Sequence, residues 1–488
     1  MTRQKHIHVN AFNMNCVGHI HHGLWTHPRD RSTEYNTLKY WTDIARTLEK
    51  GLFDGLFIAD VIGYYDVYQH AQRHGVDLTL REAIQLPVNN PWLIISAMAA
   101  VTEHLGFGVT ATISAHNPYT FARDVSTLDQ LTNGRIGWNI VTGYVDSGAR
   151  GLGQEGLDEH DRRYDRADDF LALAYKLWEG SWEDGAVIAD KARRIHALPE
   201  KVHPVVHNGP FYRANAIHMS APSPQRTPLL FQAGTSSRGL QFAGQHAEGI
   251  FIGATTPEAA REASRKLRQA AVDAGRRPED IKIYAGMAVV TGDTQAQAQE
   301  KYAEYLQHAS AEGGLAHFAA STGVDFAQYD LDEPIPFGKS NAIQSAAAAA
   351  QAQGWTTRRK LLEQFKLGSR YNTVVGDANH VADELTRWID EGEIDGFNLT
   401  RIVVPETWED FANTVVPELQ NRGRYRTAYE PGGFRHKLFG QGDRLPANHV
   451  GAQWRDALAH KAGQAAASVQ ADTKGGPAHP LTTKPIAV

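Results

Sequence analysis

The chain has 488 residues, 42% of them hydrophobic and 21% charged, a globular composition with enough apolar material for a substantial core. A formal net charge of −6 gives no electrostatic reason to expect nucleic acid or an anionic membrane as partner. A single cysteine excludes an internal disulfide, MTRQKHIHVNAF lacks the apolar run of a signal peptide, and nothing approaches a membrane span of roughly 18 apolar residues, so a cytoplasmic protein is expected.

From the N-terminus, HIHVNAF (6–12) reads as a strand, and NTLKYWTDIARTLEKG carries apolar residues at helical spacing and ends on Gly. GLFIAD (55–60) is the next strand, PWLIISAMAAVTEHL (91–105) a buried helix, and GFGVTATIS (106–114) a third strand. PYTFARDVSTLDQLTNG (118–134) is amphipathic and stops at Asn-Gly before the strand RIGWNIVTG (135–143). YDRADDFLALAYKLWEG (164–180) reads as a helix, and the strands PLLFQAG (228–234), GIFIGA (249–254), IKIYAGMAVVTG (281–292) and GFNLTRIVV (396–404) follow. Each strand but the last is followed by helical sequence. Eight β/α units predict an α/β fold, a (β/α)8 TIM barrel, with a doubly wound open sheet as the alternative.

Residues 144–227 and 293–395 exceed ordinary connections and read as insertions carrying extra helices that cover the barrel mouth. NAIQSAAAAAQAQ (341–353) is Ala-rich and helical by propensity. Residues 1–455 are expected to form one domain, and 456–488, poor in large apolar groups, a disordered tail.

GLGQEG (151–156) matches G-x-G-x-x-G, but no strand runs directly into its glycines and no helix starts there, so it is read as a loop rather than a dinucleotide site. HIHH (19–22) contains an H-x-H pair that could hold zinc, but zinc needs three or four ligands together and no companion stands at later strand ends. No metal is therefore expected, and His21 and His22 read as surface-loop residues. The C-terminal strand ends, where barrel chemistry lies, carry Asp60, Thr110 and Thr112 on one face, then Trp138, Asn139 and Thr142. QAGTSSRG (232–239) is a Gly- and hydroxyl-rich turn in which Ser236 reads equally as a phosphate ligand or a helix N-cap. Together these suggest a flat phosphorylated cofactor across the mouth.

NAFNMNCVGHIHHGLW, GLFDGLFIADVIGYYDVY, STLDQLTNGRIGWNIVTG, HDRRYDRADDF, SPQRTPLLFQAGTSSRG and DGFNLTRIVVP closely resemble the bacterial-luciferase-like flavin monooxygenases. The branch resembled contains nitrilotriacetate, dibenzothiophene-sulfone, dimethyl-sulfide and long-chain alkane monooxygenases, and the likeness runs from about residue 6 to 450. The resemblance implies a barrel, a homodimer, that takes FMN as FMNH2 from a separate NAD(P)H-dependent flavin reductase. With O2 the flavin gives a C4a-(hydro)peroxyflavin, which oxygenates a small organic substrate: an organosulfur compound, an alkane or a heterocycle. By motif, Asp60, Thr112, Gly143, Tyr144, Arg163, Tyr164 and Ser236 would bind the cofactor, and Cys16, His19, Tyr65, Gln85 and His317 would line the substrate side or act in catalysis. One departure stands out: alkane and several other members place a His after VTS, where this chain reads VTGY (141–144). A metallohydrolase using HIHH and a non-catalytic flavin carrier are the other two readings.

Overall fold

Eight parallel strands close on themselves: β1 His8–Met14, β2 Gly55–Ala59, β3 Gly106–Thr112, β4 Ile136–Val141, β5 Leu229–Gln232, β6 Gly249–Ile252, β7 Lys282–Thr291 and β8 Gly396–Thr400. Each pairs with the next, and β8 returns to β1 with His8 opposite Gly396, so the sheet is a closed barrel and the open-sheet alternative is excluded. The computed structural model describes residues 5–70, 76–234, 236–337, 343–369, 371–455 and 457. Apart from residue 457, the expected tail therefore lies outside the described residues.

Strand alternation sorts the core into two shells. Val9, Ala11, Leu56 and Ile58 face outward into a fully buried layer shared with Trp41, Ile44 and Leu48 of helix α1, Leu38–Lys50. Phe12, Phe57, Phe231 and Phe251 fill the barrel interior, with ring centroids 4.2–5.7 Å apart. Glycines make that filling possible: a Cβ on Gly137 would sit 2.6 Å from the Phe231 ring. At the N-terminal end of the strands, Phe434 of the late helix Phe434–Phe439 enters the barrel where Gly55 and Gly106 leave room; a Cβ on Gly106 would lie 2.6 Å from its ring.

The expected helix 91–105 is shorter and interrupted, a 3-10 turn Pro91–Ile94 followed by Ile95–Ala99. Arg135 explains the stop. Its guanidinium takes the carbonyls of Ala99, Thr102 and Leu105, so these no longer serve a continuing helix. α2, Pro118–Leu131, is capped by Asn117, whose side chain accepts from Tyr119 N.

The chain between β4 and β5 holds the short helix Asp146–Gly151 and α3, His160–Tyr175. It also holds two antiparallel hairpins that the sequence did not announce: Val187–Asp190 with Ile195–Ala197, and Val205–Asn208 with Arg213–Ala216. Their strands are three or four residues long, too short for a period-two pattern to emerge. GLGQEG begins on the last residue of Asp146–Gly151, with no strand running into it. After β5 comes α4, Ser237–His246.

Between β7 and β8 lie α5, Ala311–Thr322, and the helices Gln295–His308, Gln344–Ala352, Arg358–Gln364 and Ala378–Gly392. A ninth strand, Asn372–Gly376, also missed, pairs in parallel with the second half of β7.

Candidate active site

A cleft of about 490 Å³, counting the open solvent at its mouth, lies at the C-terminal ends of β3 and β4. Thr112, Gly143, Val145, Leu157, Ile62 and Arg163 are among its walls. Gly143 has φ +82°, a left-handed conformation suited to glycine. Arg163 is buried, and its Nη1 donates to the Asp158 carbonyl at 2.8 Å.

Beside the cleft, Ser236 caps α4: its Oγ accepts from Gly239 N at 3.1 Å and stands 3.3 Å from His160 Nε2. The Tyr164 hydroxyl from α3 hydrogen-bonds with Ser236 and Gln232, and burial raises its pKa. Glycines shape this corner closely, since a Cβ on Gly234 would lie 2.3 Å from Tyr164 Oη. Gln232 Oε1 is buried and has no hydrogen-bond partner among the described residues. Ser236 is thus an N-cap in fact, and its place at a helix N-terminus beside a phenol keeps the anion reading open. Arg238, the other nearby cation, is committed to Asp165 and Asp168.

A second group gathers on the far side of Gly143. Tyr65 Oη donates to Gln85 Oε1 at 2.6 Å and lies 2.5 Å from Tyr144 Oη. The Tyr65 ring stacks on His317 of α5 with centroids 5.0 Å apart, and His317 Nδ1 lies 3.1 Å from His22 Nε2. A smaller cleft of about 270 Å³, again counting open space, borders His317, with Ile20, Phe318, Phe365 and Tyr371 among its walls.

His21 and His22 are the correction here. Both are buried, at 3% and 0% exposure, rather than on a surface loop. Gly18, Gly313 and Gly368 admit the chain this closely: a Cβ on Gly18 would fall 2.3 Å from the Ala83 carbonyl, and one on Gly368 2.4 Å from that of His22. The loop is strapped on both sides, by Gly18 N to Ala83 O and Gln85 N to Gly18 O, and by His22 N to Gly368 O and Ser310 N to His22 O. His21 engages Leu367 O through Nδ1 and Thr400 Oγ1 through Nε2, which leaves it no lone pair for a metal. Among the described residues no three His, Cys, Asp or Glu side chains are arranged to hold a metal ion.

Cys16 is fully buried and its thiol donates to Gly18 O at 3.2 Å; burial pushes the thiol up to about 12, against the lowering effect of Arg401. His19 packs edge-on against Phe12, and burial holds its pKa well below 6.5. Asp60, at the end of β2, is raised to about 7 by burial. Arg401 escaped the sequence reading. Buried at the end of β8, it holds the carbonyls of Cys16 and Val17, and its signal was a lone arginine directly after GFNLT.

A closed α/β barrel with a cleft at its C-terminal mouth, a Ser-capped helix terminus at its edge and a buried Tyr-His-Gln group within defines an enzyme of the barrel-mouth class. The chain belongs to the luciferase-like monooxygenase family, which it matches over residues 19–393. It is 47% identical over 463 residues to dimethyl-sulfide monooxygenase of Hyphomicrobium sulfonivorans, covering 94% of this chain and 95% of that one. It is 46% identical over 453 residues to long-chain alkane monooxygenase of Geobacillus thermodenitrificans (strain NG80-2), covering 93% and 98%. The crystal structure of a riboflavin lyase with modified FMN and riboflavin superposes with a TM-score of 0.87 at 35% identity, covering 92% of this chain and all of that one. Among the described residues no helix is long and apolar enough to cross a membrane.

Proposed function

We propose that this monooxygenase is the oxygenating half of a two-component system: it takes FMNH2 from a separate NAD(P)H-dependent flavin reductase and uses O2 to oxygenate a small organic substrate. The observation that carries this reading is the adjacency of two unlike regions. The Thr112–Gly143–Arg163 cleft with its Tyr164–Ser236 corner lies on one side, and the Tyr65–Gln85–His317 group on the other. The first fits a flat ring ending in a phosphate. The second fits a small reactant beside the ring.

Reduced FMN, when bound, supplies the electrons and the site at which O2 is activated. The protein's part is to bind, orient and keep water out. Arg163, Tyr164, Ser236 and the α4 N-terminus would hold the phosphate. Thr112 and Gly143 would lie along the ring, Gly143 because a side chain there would require a strained backbone. Asp60 would stand near the ring as a carboxyl half protonated near neutrality. Cys16 and His19, buried and uncharged, would line the reactant side without serving as nucleophile or base.

For substrate, dimethyl sulfide and small organosulfur compounds come first and alkanes second, following the names of the two relatives. The reading includes a homodimer working in the cytoplasm, for which sedimentation is the direct measurement. The test of the function is a reconstituted assay with reductase, FMN, NADH and 18O2, using dimethyl sulfide, a long-chain alkane and dibenzothiophene sulfone. Product carrying one 18O atom is expected with one of them. A protein that does not bind reduced FMN would end the proposal.

A further inference from the structure

The two clefts at the barrel mouth are built from different connections, and one short segment is joined to both. The larger cleft takes Ile62 from the loop after β2, and Gly148, Ala149 and Leu152 from the chain after β4. The smaller takes Gly314, His317 and Phe318 from α5. Residues 62–70 run between them.

At one end this segment meets the helix Asp146–Gly151 backbone to backbone. The Ser147 hydroxyl accepts from Tyr64 N at 2.9 Å and donates to Tyr64 O at 2.6 Å, so a single side chain holds both polar groups of one residue. The two chains come so close that a Cβ on Gly148 would fall 1.9 Å from the Ile62 carbonyl oxygen. Gly63, at φ +128°, would set one 2.7 Å from Gly148 N. Arg150 adds an ion pair with Asp66 at 2.5 Å. Ser147 is buried, which shields its two bonds from water.

At the other end the segment is joined to α5 and the turn after it. Glu312 Oε1 accepts from Tyr68 Oη at 3.1 Å and from Gln69 Nε2 at 3.3 Å. The Asp325 carboxylate accepts from the backbone N–H groups of Gln69 and His70, at 2.9 and 3.2 Å. Gln69 has φ +58°, a backbone that turns successive N–H groups toward one anion. Tyr68 shares a buried apolar cluster with Leu315 and Ala319 of α5.

We propose that residues 62–70 are a strap that couples the two clefts, with Ser147 and Asp325 as its end joints, so that movement of one cleft's wall is passed to the other's. Ser147 and Asp325 are positioning residues; neither lines a cleft. The inference rests on the reading above for what the site holds, flavin in the larger cleft and a small reactant on the His317 side. It adds a dependence to that reading: a cofactor that fixes the helix Asp146–Gly151 steadies α5 for the reactant. Such coupling is reciprocal, so the reactant also tightens the cofactor.

The experiment is hydrogen exchange read by mass spectrometry on wild type, Ser147→Ala and Asp325→Asn, each first checked for thermal midpoint, without ligand and then with saturating FMN. Without ligand, Ser147→Ala should speed exchange across 311–322, at the far end of the strap, about tenfold, the worth of one hydrogen bond in a local opening. Asp325→Asn should likewise speed exchange across 146–151. FMN should slow both segments in wild type and only 146–151 in either variant. An unchanged far segment in either unliganded variant would overturn the strap, as would FMN slowing 311–322 in the variants as much as in wild type. Asp325→Asn keeps the side chain's shape, so it decides alone should Ser147→Ala not fold. Failure of wild type to bind FMN would overturn the flavin reading instead, and the unliganded comparison would still decide the strap.

Discussion

His22 Nε2 lies 3.1 Å from His317 Nδ1, so one of these rings donates and the other accepts, and the bond joins the loop after β1 to a helix almost 300 residues later. The long β7–β8 connection thus leans on the first loop of the barrel at two places, near His317 and at Gly368. The consequences of burying imidazoles there can be measured.

Burial keeps His19 and His22 well below the usual 6.5 and His21 at about 4, all three neutral at pH 7. In the unfolded chain these histidines titrate near 6.5, so below that pH the unfolded state binds more protons. Stability is therefore complete above about pH 6.5 and is lost as pH falls toward 4, with a slope of up to about 1.4 kcal/mol per pH unit for each ring. Urea unfolding at pH 7.5 and 5.5 should show a clearly lower midpoint at the acid value. Equal midpoints would mean that these rings are not buried neutral.

Asp60 is raised to about 7 by burial, so its negative charge appears as pH rises through neutrality. A phosphorylated flavin bound near it should bind more weakly above pH 7 than below. Fluorescence titration of FMN from pH 6 to 8.5 should show that decline, and Asp60→Asn should flatten it. A decline of the same size in the variant would assign it to another group.

The Tyr164–Ser236 corner makes a paired prediction. Tyr164→Phe should weaken FMN about tenfold, the value of one hydrogen bond to a charged ligand, with little change in thermal midpoint. Gly234→Ala should cost at least as much, because its Cβ would fall 2.3 Å from Tyr164 Oη and 2.4 Å from Gln232 Nε2 and displace both. Riboflavin, lacking the phosphate, should bind the Tyr164→Phe protein and wild type alike. If riboflavin is affected as strongly as FMN, the corner does not hold a phosphate.

Cys16 should be silent. With its thiol pushed up to about 12 and no exposed surface, the native protein should resist iodoacetamide at pH 8 and react once per chain on unfolding. Rapid native alkylation would show that the loop opens far more often than its hydrogen bonds imply.

The barrel was legible in the sequence because strand runs and amphipathic helices repeat eight times, each bounded by its own turn signals. Asp60, Thr112, Gly143 and Ser236 could be placed near one another from the sequence for a related reason: they lie at or just past strand ends, where order along the chain is order around the mouth. What was hidden depends on closure. Tyr65, Gln85 and Tyr144 meet only when separate connections fold over the same rim, and nothing local in any of them records the others. His21 and His22 misled because histidines in a Gly-bounded loop look solvated, whereas the glycines that bury them are contributed partly by residues 313 and 368. The small hairpins before β5 were lost to shortness alone.

Phe434 sets an order of events in the cell. It seats between Gly55 and Gly106, strands made early in synthesis, but it leaves the ribosome only after nearly all the rest of the chain. Until then the floor of the barrel stands open and its aromatic interior faces water. Emergence of all eight strands therefore does not complete the fold, and a nascent chain stalled before residue 434 would present chaperones with a wet, unsealed core.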